Sequence, residues 1–111
     1  MPKGVLVVMT QPVEGMEDEY HDWYTNVHIP ELLAVPGIAA AQRFEAAPNA
    51  AGQLPAQKYL AIYEFDTDPE EALKAMREAR SKPGAAPASP ALDTSTSVMY
   101  AYRAISDRFE G

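Results

Sequence analysis

A four-stranded antiparallel sheet with two helices on one face is the architecture this 111-residue sequence predicts. Three observations carry it. Four short runs are rich in β-branched, aromatic and other apolar residues. Two stretches with helical spacing follow the first and third of those runs. The resulting order, β-α-β-β-α-β, is that of the split βαβ or ferredoxin-like arrangement.

The first run, Gly4 to Pro12, is stopped by Pro12 and does not alternate, so a strand buried on both faces is expected. From Met16 the period changes. Met16, Tyr20, Trp23, Tyr24 and Val27 recur at three- and four-residue spacing and form one helical stripe. Glu17, Asp18 and Glu19 sit in the first turn, where carboxylates favour the positive end of the helix dipole. Pro30 disfavours helical geometry at Ile29, so the helix is expected to end or bend there, with a short turn from Pro30 to Val35 behind it. Val35-Pro36-Gly37 then forces a reversal into a second strand, Ile38 to Ala46, followed by a loop of small and turn-forming residues.

Lys58 to Asp66, "KYLAIYEFD", reads most clearly as a strand. In "TDPEEALKAMREARSK", Thr67 or Asp68 caps a helix and Pro69 suits its first turn. Leu73, Met76 and Ala79 or Arg80 give its inward face. The Pro/Ala/Ser stretch from Pro83 to Ser97 has no apolar period and is long enough to form a flap. A last strand, Ser97 to Ile105, closes a single domain spanning residues 1–111.

Two helices cover only one face of a sheet. In the last strand Val98, Tyr100, Tyr102 and Ala104 point one way, and Met99, Ala101 and Ile105 the other. Both sets are largely apolar, so the uncovered face is expected to join two copies in a two-fold homodimer. The net charge of −7 disfavours nucleic acid and anionic membrane surfaces as partners. The absence of cysteine excludes disulfides, thiolate metal sites and a Cys nucleophile. The apolar run Val5 to Met9 is too short to span a membrane or to serve as a signal peptide, which leaves the cytoplasm as the default location.

Both histidines, His21 and His28, lie on the first helix. Seven residues are close to two α-helical turns, so an ideal helix brings the pair within about 20° of each other around the axis. A second stripe of His21, Tyr24, Thr25 and His28 then runs beside the core stripe. The plain reading makes His21 a half-exposed surface residue and His28 a cap on the broken backbone at Ile29-Pro30. The sharper reading makes His28 a general acid or base, because imidazole titrates near neutrality. At about 10 Å of axial separation the pair does not share one metal, and no metal site is expected. Trp23 reads as core packing or as a ligand wall. Of the strand tyrosines Tyr59, Tyr63, Tyr100 and Tyr102, at least one is expected to border the space between sheet and helices. Arg43 and Arg103 lie on strands, as surface or interface residues or as anion-binding residues at a cavity.

Trp23, Tyr24, His28 and Pro30, then Val35-Pro36-Gly37 and Arg43-Phe44, form a pattern that resembles the EthD-like branch of the dimeric α+β barrel superfamily. The likeness covers most of the chain. It implies a dimer and a largely apolar pocket between sheet and helices with His28 in its wall. Members of the wider superfamily include polyketide cyclases, muconolactone isomerase, haem enzymes and small monooxygenases. The Pro83 to Pro90 stretch departs from the pattern at the pocket's rim.

The expected function is a lyase or isomerase without a cofactor, including cyclase-type chemistry, acting on a small, apolar, oxygenated aromatic or polyketide-like molecule. His28 serves as base or acid, with His21 and Tyr24 assisting. Trp23, Arg43, Tyr63 and Tyr100 contact the substrate, a tyrosine or arginine holding the oxyanion. The alternatives are a cofactor-free monooxygenase of a hydroquinone-like or anthrone-like substrate and a non-catalytic dimeric ligand carrier.

Overall fold

The computed structural model describes residues 2–111. Four strands form one sheet: β1 (Gly4–Thr10), β2 (Ile38–Glu45), β3 (Tyr59–Phe65) and β4 (Val98–Arg103). Their spatial order is β2-β3-β1-β4 and every neighbouring pair is antiparallel. The helical segments are α1 (Glu17–Trp23), a π-helical segment at Tyr24–His28, α2 (Ile29–Leu33) and α3 (Pro69–Ser81). This is the ferredoxin-like α+β arrangement, with the helices packed on one face of the sheet.

The register shows which side chains face the helices. Leu6 of β1 sits opposite Tyr63 of β3 and Ala101 of β4, and Ala61 lies opposite Arg43. Leu6, Ala61, Tyr63 and Phe65 are buried together with Tyr20, Tyr24, Leu32, Ala72 and Met76. The opposite face carries Val5, Val7 and Met9 of β1, Leu60 and Ile62 of β3, Phe44 of β2, and Tyr100 and Tyr102 of β4. In the single chain β1 is therefore half-buried on that side, where burial on both faces was expected. An ion pair between Arg103 and Glu70 ties β4 to α3 at the surface.

Pro30 does not end the helix, contrary to expectation. Backbone angles stay helical from Tyr24 through Ile29 to Ala34, so α1, the π segment and α2 run on as one rod. Proline lacks an N–H and its ring crowds the carbonyl four residues back. Widening the turn immediately before Pro30 into i→i+5 bonding absorbs that conflict without a break. His28 likewise caps nothing, since its side chain makes no bond to the helix end.

The Val35-Pro36-Gly37 reversal forms as expected. Gly37 adopts φ +96° and packs closely on Thr67 and Ala72, a site with neither the backbone angle nor the space for a side chain. The stretch from Pro83 to Ser97 is pinned at its middle. Pro12 and Leu92 form a β-bridge, Val13 N–H donates to the Ala91 carbonyl (2.7 Å), and Asp93 N–H donates to that of Gln11 (3.0 Å).

Candidate functional site

A cavity of about 500 Å³ lies between the inner face of the sheet and the helices. Leu6, Val8, Thr10 and Met99 line it from the sheet, and Trp23, Tyr24, Val27 and His28 from the helical rod. Ala85 to Ala88 and Leu92 of the long loop cover it. The lining is mostly apolar with a few polar groups, the usual composition of a small-molecule site.

His28 is held by aromatic rings. Its ring stacks on Trp23 at 4.5 Å between centroids with planes 21° apart, and the edge of Tyr24 meets it at 5.1 Å and 85°. Among the described residues no side chain or backbone group hydrogen-bonds either ring nitrogen, and neither nitrogen is sealed in the core. Burial lowers the pKa of His28 below the usual 6.5; Arg80 adds to the lowering and Glu31 opposes it. The imidazole is therefore neutral at pH 7, the form that accepts a proton. The Tyr24 hydroxyl is pushed up by burial and stays protonated, a potential donor toward a developing negative charge.

His21 does not join His28. It sits at the sheet edge, where Arg43 donates from Nη2 to His21 Nδ1 (3.0 Å) and from Nη1 to Thr25 Oγ1 (3.1 Å). The ring of His21 meets Tyr59 edge-on at 4.7 Å. Burial first, and Arg43 second, lower the pKa of His21 and keep it a neutral acceptor. The Arg43 guanidinium lies 4.6 Å above the Tyr24 ring, so it reaches the back of the cavity wall without entering the cavity. The widened turn explains the divergence: each extra residue in a helical turn sets everything beyond it back by about 100°.

Tyr63 is fully buried behind Tyr24, and its hydroxyl has no hydrogen-bond partner among the described residues. The Tyr24 hydroxyl is its polar neighbour in the core. Burial drives the Tyr63 pKa far upward. The Tyr20 hydroxyl, by contrast, is bonded to Thr10 Oγ1. Tyr100 is 61% exposed on the opposite face of the sheet, away from this cavity. Of the seven residues singled out in the sequence, Trp23, Tyr24 and His28 line the cavity. His21 and Arg43 form a separate polar pair, Tyr63 lies in the core, and Tyr100 lies on the far side.

The sequence reading missed Glu31, Arg80 and Thr10 as lining residues. Arg80 had a signal, since it competes with Ala79 for the inward stripe of α3. Glu31 had none, because its place follows from the rod continuing past Pro30. Among the described residues no group of three or more His, Asp and Glu side chains is arranged to hold a metal ion, and no helix is long and apolar enough to cross a membrane.

No protein-family model and no curated protein matches the chain. Solved structures do. A mutant of MhuD with two manganese protoporphyrin IX molecules bound per active site is 13% identical, with a TM-score of 0.58 over 96% of this chain and 99% of that one. An EthD-like protein from Ralstonia eutropha JMP134 is 16% identical, with a TM-score of 0.55 over 97% of each chain. A candidate monooxygenase from Shewanella loihica PV-4 is 18% identical, with a TM-score of 0.50 over 96% of this chain and 99% of that one. The expectation of a lyase or isomerase is corrected by these neighbours, whose names carry monooxygenation and a porphyrin in the active site. At these identities the likeness establishes architecture: the chain has the ferredoxin-like α+β fold that these structures share, an EthD-like protein among them.

Proposed function

We propose that the protein is a monooxygenase that needs no cofactor and acts on a flat, electron-rich, oxygenated aromatic substrate of the hydroquinone or anthrone type. One observation carries the reading. The His28 imidazole, free of hydrogen bonds among the described residues, is fixed against Trp23 in the wall of an apolar cavity, and burial there favours its neutral form. A substrate ring stacks along the apolar wall. The imidazole takes the proton from a phenol or, in an anthrone, from the CH₂ across the central ring from the carbonyl, which leaves the negative charge on the conjugated oxygen, and the Tyr24 hydroxyl stabilises that oxygen. The resulting anion is electron-rich enough to react with dioxygen. With an anthrone the balance closes: the CH₂ group loses two hydrogens and gains one oxygen atom as a carbonyl, and the other oxygen atom leaves as water. The similarity of the fold to a candidate monooxygenase supports this reading.

The apolar face bearing Val7, Ile62, Phe44 and Tyr100 joins two copies in the working protein, which leaves each cavity on the outside of the pair.

The test is oxygen uptake with anthrone. One O₂ consumed per anthraquinone formed, without added metal, flavin or haem, is the expected result. His28→Ala is expected to lower the rate by about 10²–10⁴-fold. Absence of uptake by the wild-type protein, or an unchanged rate in the variant, overturns the assignment. A second reading rests on the same free imidazole, which is also a potential ligand to a porphyrin iron, and on the porphyrin-bound neighbour. Haemin titration separates the two: a Soret shift absent in His28→Ala favours a metalloporphyrin substrate.

A further inference from the structure

The main cavity does not stop at Glu31 and Arg80. A side crevice of about 220 Å³ opens beyond them, lined by Val35, Ala79, Pro83 and Gly84, and shares Glu31, Leu32, Met76, Arg80 and Ala85 with the cavity. Among the described residues, Arg80 is the only Lys or Arg lining either space. Its guanidinium is uncommitted. Among the described residues it pairs with no carboxylate, even though Glu31 borders the same opening. The residue one helical turn before it on α3 is Met76, so no i,i+4 partner is built in. In a protein of net charge −7, an exposed, unpaired cation that borders both the apolar cavity and the side crevice is well placed to attract an acid.

We infer that the substrate carries an acidic group, a carboxylate in the simplest case, which Arg80 binds at the junction of cavity and crevice while the aromatic body lies along Trp23 and His28. This rests on the small-aromatic reading of the cavity but not on the reaction that follows. Arg80 is a positioning residue in this scheme. It presents two parallel N–H donors to the acid and so fixes which edge of the ring meets the imidazole. Glu31, on the other side of the junction, repels the acid from the α2 wall and leaves Arg80 as its one anchor. The crevice accommodates the arm that links acid to ring.

Trp23 is the only tryptophan in the chain and forms part of the wall, so quenching of its fluorescence reports occupancy without turnover. The probes are anthraquinone-2-carboxylate and 2-methylanthraquinone, which differ in the acidic group. The wild-type protein is expected to bind the carboxylate about tenfold more tightly than the methyl compound, and to lose that margin as salt is raised. Arg80→Gln removes the margin and leaves the methyl compound's affinity unchanged, while Arg80→Lys retains part of it. Equal binding of the two probes by wild-type protein, no binding of either, or equal weakening of both by Arg80→Gln overturns the inference. A chain that shows the carboxylate preference but consumes no oxygen disproves the monooxygenase reading and leaves this one in place.

Discussion

The His28 imidazole lies nearly parallel to the Trp23 indole, 4.5 Å away, and is edge-on to Tyr24. A ring packed between two aromatics is poorly solvated on both sides, and its charged form is penalised. Burial therefore lowers the pKa of His28, the proposed base, below 6.5. Activity is expected to rise with pH along a limb centred below 6.5 and to level off before pH 7.5. In His28→Ala the limb disappears from the kcat/KM profile with anthrone. A limb that survives the substitution belongs to another group.

Stability follows the same sign. Both histidines have folded-state pKa values below their unfolded value. The unfolded chain then binds more protons in the acid range, and stability is full above 6.5 and is lost as pH falls through the depressed values. Thermal melts are expected to show Tm falling as pH drops from 7 toward 5, with a shallower fall in His28→Gln. A Tm that is flat or rises on acidification contradicts the assignment.

The unpartnered Tyr63 hydroxyl gives a prediction of opposite direction to most core substitutions. Tyr63→Phe keeps the ring and removes a buried polar atom that lacks a well-formed hydrogen bond among the described residues. The variant is expected to be more stable by about 1 kcal/mol in urea denaturation. Tyr20→Phe, which strands the Thr10 hydroxyl, is expected to cost about 1–3 kcal/mol.

Gly37→Ala is expected to destabilise the fold by about 1–2 kcal/mol. The new Cβ would sit 2.7 Å from Thr67 Oγ1, at a positive φ that L-residues avoid. A paired Gly37→Ala/Thr67→Ala variant relieves the contact but not the backbone strain, so urea midpoints for the single and double variants separate the two causes.

Tyr100→Glu addresses the open sheet face. Tyr100 is 61% exposed and Tyr102 56% exposed in the single chain, so a charge there costs the isolated protomer little. Light scattering is expected to show a dimer for the wild-type protein and a monomer for the variant at micromolar concentration. A wild-type monomer removes the interface.

The strands and α3 were legible because each carries its own local signal, such as "YLAIYEF" or the Asp68-Pro69 start of a helix. The aromatic trio of Trp23, Tyr24 and His28 was legible from residue type and position. Other features depend on information that no single segment holds. Whether Tyr100 or Ala101 faces the helices is set by the pairing of Leu6 with Ala101, and both alternating sets of β4 are apolar enough to suit either face. Tyr63 was expected at a ligand and lies behind Tyr24, because depth beneath a neighbouring ring has no signature in period or composition. Arg43 was expected at the substrate. It is taken up by His21 and Thr25, partners 22 and 18 residues away in the chain.

The π-helical segment at Tyr24–His28 works like a gear with one extra tooth. Two imidazoles that a uniform screw would keep in step are thrown out of phase, and each can answer to a different master: one to a guanidinium at the rim, one to the hollow within. Deleting a single residue between Tyr24 and His28 would restore the ordinary pitch and swing the second imidazole away from the hollow, and the proposed oxygen uptake is expected to fall with every atom of that side chain still present.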